Sequence, residues 1–282
     1  VSLAGALWLV AAVAAAHPPA IEPPAPFAAA LNGPEGLAFG KDGSLYVGER
    51  DGDVRRVAPD GSHTLLASLG DPLAGVTVLR DGRILACALG ANRVWVVDPA
   101  TGASAVYANV SSPNFVVQTR RGQVIASSSF GNSLVDVTDG ANVVLQTGLN
   151  FPNGLAVRAN HLYVANLGAS EVVRLRFGPN GTLGAPEPYA SGLTLVDGIA
   201  FDRPGNLFAV GFDTLWVVDV RTRQVQTLST DPLLNWPSNI AFGRSARFGT
   251  DVMYLANFGN PLGSGTTVIR VPTNHRRARL DR

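Results

Sequence analysis

Four side chains with oxygen donors draw attention because of where they recur: Glu35, Asn114, Asn153 and Asp197. Each is the third residue of a phrase that returns roughly every 40 residues along the chain. The six phrases are "GPEGLAF", "PLAGVTV", "SPNFVVQ", "FPNGLAV", "LVDGIAF" and "WPSNIAF", and their third residues are Glu35, Ala74, Asn114, Asn153, Asp197 and Ser238. Two carboxylates and two amides suit a hard cation, with backbone carbonyls and water completing six to eight oxygen ligands. That chemistry fits calcium better than zinc. No histidine stands at any of the six positions, and structural or catalytic zinc sites draw on histidine or cysteine. Asn and Asp also favour turns for their own backbone hydrogen bonding. Glu has no such preference, so Glu35 in "GPEG" is the least ordinary of the set.

The elements that must place these residues follow the same repeat. After each phrase comes a short turn such as "KDG", "RDG", "RRG" or "RPG". A second apolar run follows: "SLYVG", "RILAC", "QVIAS", "HLYVA", "NLFAV" and "VMYLA". A third reads "DVRRV", "RVWVV", "SLVDV", "EVVRL", "TLWVV" and "TVIRV". The runs are β-branched, aromatic and bounded by Gly, Pro, Asn and Asp, which reads as strands. Four strands per unit is the signature of a propeller blade, so the sequence predicts an all-β, six-bladed propeller. Blades are expected to start near 33, 72, 112, 151, 195 and 236.

The sixth unit stops before a fourth strand, and "PFAAALNGPEG" has the shape of the missing piece. Residues about 26–31 are therefore expected to complete the last blade and close the ring, which removes two exposed sheet edges. In such a blade strand A is innermost, and the D–A junctions share one channel mouth with the B–C loops. The six third residues thus converge on one opening. The B–C loops add Glu49, Asp51, Asn92, Phe130, Asn132, Asn166, Phe212, Asp213, Asn257 and Phe258, while Phe115 and Trp236 flank the start of strand A. Oxygen donors ringed by aromatic walls describe a pocket for a partly apolar organic ligand. We take Asn114, Phe115, Phe130, Phe212, Trp236 and Phe258 as substrate contacts. Tyr46, Phe39, Phe201, Trp95 and Trp216 read as packing between blades.

Composition narrows the function classes. Hydrophobic residues make up 46% and charged ones 15%, which excludes a disordered chain. A net charge of +1 offers no field for nucleic acid. Cys87 is the one cysteine, so no intramolecular disulfide or thiolate cluster can form. Residues 1–16, "VSLAGALWLVAAVAAA", end in a small-x-small pattern and read as a secretory signal peptide cut before His17. The remaining 17–282 form one domain, expected to be a secreted monomer with no membrane span. The sequons at Asn109 and Asn180 fit a glycoprotein. The tail "HRRARLDR" reads as a solvated end.

On "GPEG", "SPN", "FPNG" and "VDG" in that order, with "PSNIAFG…MYLANFG" in the last blade, the chain resembles the SMP-30/gluconolactonase/LRE-like family. The resemblance spans essentially everything after the leader. It implies a six-bladed propeller with one divalent cation at the channel mouth, often calcium, with magnesium, manganese or zinc as alternatives. It further implies Glu35, Asn153 and Asp197 as metal ligands and Asn114 as a fourth ligand or substrate contact. Asp197 is then also the base in hydrolysis of a lactone or related ester. A histidine dyad of the paraoxonase kind is absent. Sugar-lactone members commonly carry an Arg before and an Asp after the third-blade Asn, where this chain has Ser112 and Phe115. That difference points to a more apolar lactone. Two other readings stay open: a natural-product pericyclase acting on a hydrophobic substrate, and a non-catalytic binding propeller.

Overall fold

The computed structural model describes residues 20–273. The leader, His17 and the arginine-rich tail lie outside the described residues. Strand β1 (Ala25–Ala28) precedes the first full blade, β2 (Pro34–Phe39), β3 (Leu45–Glu49), β4 (Asp53–Val57) and β5 (His63–Ser68). Blade two is β6 (Val76–Val78), β7 (Ile84–Ala88), β8 (Arg93–Val97) and β9 (Ser104–Asn109). Blade three is β10 (Pro113–Gln118), β11 (Val124–Ser128), β12 (Ser133–Asp136) and β13 (Val143–Gln146). Blade four is β14 (Pro152–Arg158), β15 (His161–Asn166), β16 (Glu171–Arg176) and β17 (Glu187–Ser191). Blade five is β18 (Val196–Phe201), β19 (Leu207–Gly211), β20 (Thr214–Val218) and β21 (Val225–Ser229). Strands β22 (Pro237–Phe242), β23 (Val252–Asn257) and β24 (Thr267–Pro272) take β1 as their outer strand. The result is six antiparallel four-stranded sheets in a ring, a six-bladed β-propeller.

The closing strand lies where the repeat places it. Ala25 pairs with Arg270 and Ala28 with Val268, with a register shift between Pro26 and Ala28. Leu31, just beyond it, is buried in the seam between the last and first blades.

Burial explains the strand sequences. Strands β3, β7, β11 and β19 are buried along their whole length, because each is covered on both faces by neighbouring blades. The outer strands, such as β9 and β21, are mostly exposed. The core is divided among six apolar clusters, one for each seam between adjacent blades. Phe39, Tyr46 and Trp216 are buried in these seams, and Trp95 and Phe201 pack against them. The inner strands run side by side around the channel, with β2 contacting both β6 and β22.

One expectation shifts by a residue. The phrase "PNG" reads as the turn, yet Pro152, Asn153 and Gly154 already belong to β14. The left-handed residue is the one before, Phe151, at φ 53°. Its counterparts Gly33, Ser112, Leu195 and Trp236 share that conformation. In blade two the equivalent residue is Pro72, whose ring fixes φ near −65°. There the inner strand starts only at Val76, leaving Ala74 outside it.

Candidate functional site at the channel mouth

The left-handed residue at each junction is followed by a bulge. Register is lost between Pro34 and Gly36, Pro113 and Val116, Pro152 and Leu155, Val196 and Ile199, and Pro237 and Asn239. Glu35, Asn114, Asn153, Asp197 and Ser238 all fall inside these gaps. A bulge re-aims the side chain it frees from the ladder, and here it does so at five blades around one channel. The glycine that follows serves a second purpose. A Cβ at Gly36 would run into the backbone of Ala74 and Val76, and one at Gly154 into the Asp197 carbonyl. Neither glycine has positive φ, so space alone requires it: the inner strands can close up beside the donor residues.

Asn114, Asn153, Asp197 and Ser238 are buried, and Glu35 is partly reachable from the channel. Burial pushes the Glu35 carboxyl up to about 8. Asp197 is raised well above the usual carboxylate range, first by burial and then by the negative charge of Glu35. Trp236, at the start of blade six, partly opposes that rise. No basic side chain acts on either acid. Two carboxyls in a desolvated channel without a basic partner are neutralised there either by protons or by a bound cation. In blade two, the burial of Cys87 raises its thiol well above the usual range, and the negative charge of Glu35 adds to that rise. Ser238 spends its hydroxyl on the Glu35 backbone carbonyl at 2.8 Å, tying blade six to blade one.

Most of the other polar residues expected at the mouth are committed to structure, whereas Asp213 is exposed. Asn166 Oδ1 accepts the Asn150 N–H at 2.7 Å, and Asn257 Oδ1 accepts that of Asn235 at 3.4 Å. Glu49 does the same for Asn32 at 2.8 Å. Asn92 and Asn132 accept the N–H groups of Ser112 and Phe151, each in the next blade. By contrast, no group among the described residues claims the side-chain amides of Asn114 and Asn153. Glu49, Asp51 and Asp53 bring carboxylate oxygens within 4.8 Å of one another and could gather a metal. Arg55, however, already bonds Glu49 at 2.7 Å and Asp53 at 2.8 Å.

Aromatics wall one side of the mouth. Phe130 meets Phe151 edge-on at 5.2 Å, and Phe212 meets Trp236 at 5.7 Å. Phe130 remains 69% exposed and Phe212 39%. Phe258 is partly buried beside Trp236, whose carbonyl accepts its N–H. Phe115 lies over Gly75 and packs against the seam of blades three and four, so it lines the channel more than the rim. A separate cavity of about 1020 Å³ opens on the opposite face, among the A–B turns of blades two to four. Its arginines Arg83, Arg120 and Arg121 are balanced by Asp81, Asp136 and Asp139, whereas Glu35 and Asp197 have no basic partner.

Residues 28–57 match the model of the strictosidine synthase-like N-terminal family. No curated protein matches the chain in sequence. Among solved structures, a gluconolactonase from Xanthomonas campestris superposes with TM-score 0.74 at 21% identity, over 92% of this chain and 95% of that one. The fold is that of the gluconolactonase propellers. A luciferin-regenerating enzyme has this fold with TM-score 0.73 at 15% identity, covering 92% and 97% of the two chains. Virginiamycin B lyase from Staphylococcus aureus has it with TM-score 0.63 at 13% identity, covering 92% and 89%. The gluconolactonase-like fold agrees with the resemblance drawn from the six phrases. It also houses a lyase, so chemistry must be argued from the site.

Proposed function

We propose that this chain is a secreted, divalent-cation-dependent hydrolase of apolar lactones or related esters, acting as a monomer on a small molecule. The observation that carries the reading is the pair Glu35 and Asp197, buried together without a basic partner, beside two amides that no other group claims. Glu35, Asn114, Asn153 and Asp197 would hold the cation, and their all-oxygen character selects calcium. When bound, that cation supplies Lewis acidity toward the lactone carbonyl and lowers the pKa of water. Asp197 takes the proton of the attacking water and returns it to the departing alkoxide. Asn114 orients the substrate. Phe130, Phe212, Trp236 and Phe258 receive its apolar part, and Phe115 lines the channel beneath. The exposed positions of Asn109 and Asn180 leave both sequons open to glycosylation.

Metal analysis of the purified protein should find one divalent ion per chain. Chelation and Asp197→Ala should each abolish turnover of an apolar lactone and ester panel, with circular dichroism unchanged. Lactone turnover that survives both treatments overturns the reading. The exposed Phe130 and Phe212 favour a second reading, a pericyclase or binding propeller for a hydrophobic ligand. A pericyclase of that kind would ignore chelator and respond to Phe130→Ala. A binding propeller would show no turnover on any member of the panel.

A further inference from the structure

The cavity on the face opposite the mouth is built across three blades, and bonds between blades set its walls. Arg80, in blade two, donates to the Thr119 carbonyl at 2.9 Å and to that of Arg120, which fixes the A–B turn of blade three. The Gln123 amide donates to Asp136 at 2.7 Å and to the Gly181 carbonyl at 3.1 Å, tying blade three to the C–D loop of blade four. The Tyr107 hydroxyl accepts the Asp139 N–H at 3.0 Å, holding blade two to the C–D turn of blade three. Both seams that the cavity spans are thus bridged, so its shape is set before anything enters.

The equality of charge on its walls is one of number, not of place. Asp81 already holds Arg83 at 2.7 Å. Asp136 accepts from Gln123 and, at 2.9 Å, from the Thr138 N–H. Through shared walls at Arg121, Asn160, Phe177 and Gly178, the cavity continues into a recess of about 480 Å³. Arg121 and Arg176 line that recess and no acid does. Neither guanidinium has a hydrogen-bond or ion-pair partner among the described residues. Thr119, on the cavity wall and 6% exposed, also keeps a hydroxyl without a partner. Buried hydroxyls are ordinarily paired, so this wall holds an open donor as well as open charge. Tyr107, Val157 and Phe177, all partly exposed, supply apolar surface.

A guanidinium presents its N–H donors as a fork that matches two oxygens of one acid group. We propose that this cavity is a second ligand site, taking a small organic anion: a carboxylate or phosphate held by Arg121 and Arg176, on an apolar body that lies along Phe177. The site stands independently of the cation reading of the mouth.

The test is a heteronuclear NMR titration of the full chain, freed of any glycan, with phenylbutyrate, phenyl phosphate and the neutral phenylbutyramide. At least one of the two anions should move the amides of Gly122, Gly178 and Gly181, while those of Gly36, Gly154 and Gly198 beside the mouth donors stay in place. The tighter of the two tells a carboxylate site from a phosphate site. The neutral amide should bind at least about tenfold more weakly, because the charge-assisted bonds are lost. Arg121→Gln and Arg176→Gln should each weaken the anion at least about fivefold. Their melting temperatures should match wild type, since neither side chain has a partner to lose. The proposal is overturned if neither anion moves the cavity glycines, or if the mouth glycines move instead. It is equally overturned if the neutral amide binds as tightly as the anions, or if either arginine variant binds them as wild type does.

Discussion

Two groups of acids lie at the same mouth and have opposite characters. Glu49, Asp51 and Asp53 bring carboxylate oxygens within 4.8 Å of one another, yet Arg55 bridges Glu49 and Asp53, and Ser68 bonds Asp53 at 2.7 Å. Glu35 and Asp197 are only two, and they have no such cation. The asparagines divide in the same way. Asn92 and Asn132 spend their amides on backbone, whereas Asn114 and Asn153 do not. What separates the proposed site from scaffold here is whether the acids and the donors already have partners, rather than how many there are.

The comparison can be broken from the scaffold side first. Glu49 is 1% exposed, so Arg55→Ala strands a buried carboxylate and should destabilise the fold by about 3 kcal/mol. Chemical denaturation measures this. Adding Glu49→Gln should recover much of the loss, and calcium affinity should stay within about twofold throughout. A shift in affinity comparable to that of a ligand variant would move the metal site to this cluster.

The second comparison is one of pH. In the cation-free fold Glu35 keeps its proton up to about 8, while the unfolded chain releases it near 4.5. The folded state binds more protons across that window, so stability falls as pH rises through it. Asp197, also raised, acts with the same sign. Melting temperature should therefore drop between those limits without calcium and stay nearly level with saturating calcium. Glu35→Gln should flatten most of the slope. A cation-free profile without slope would remove the electrostatic basis of the site.

The smallest effect belongs to the bonds that Asn92 and Asn132 make to backbone across the blade junctions. Asn132→Ala removes one hydrogen bond to a left-handed residue and should cost roughly 1 kcal/mol, with cation binding intact. Asn153→Ala should do the reverse. Parallel melts and calcium titrations of the two variants check the contrast.

The fold was readable because a unit repeated six times carries its own alignment, and the outer strand from residues near 26 was readable from the gap it fills. The donor types at Glu35, Asn114, Asn153 and Asp197 were legible for the same reason. The left-handed residue that precedes the inner strand was not, because Ser112, Phe151, Leu195 and Trp236 share no residue type that favours positive φ. Nor was the spending of Glu49, Asn166 and Asn257 on backbone, since their partners are 16 to 22 residues away in sequence. Trp236 could be named as an aromatic at the mouth, but its edge-on contact with Phe212 crosses a blade seam that sequence spacing does not encode.

The seam closed by β1 sets when the channel mouth becomes whole. Glu35 stands on the first blade and Ser238 on the last, and the hydroxyl-to-carbonyl bond between them spans 203 residues of chain. A horseshoe of five blades would still hold Asn114, Asn153 and Asp197 in order, but Glu35 would have no fixed place opposite them. A guest held by all four donors would act as a clasp, registering that the chain has come full circle and bracing the joint where the circle closes.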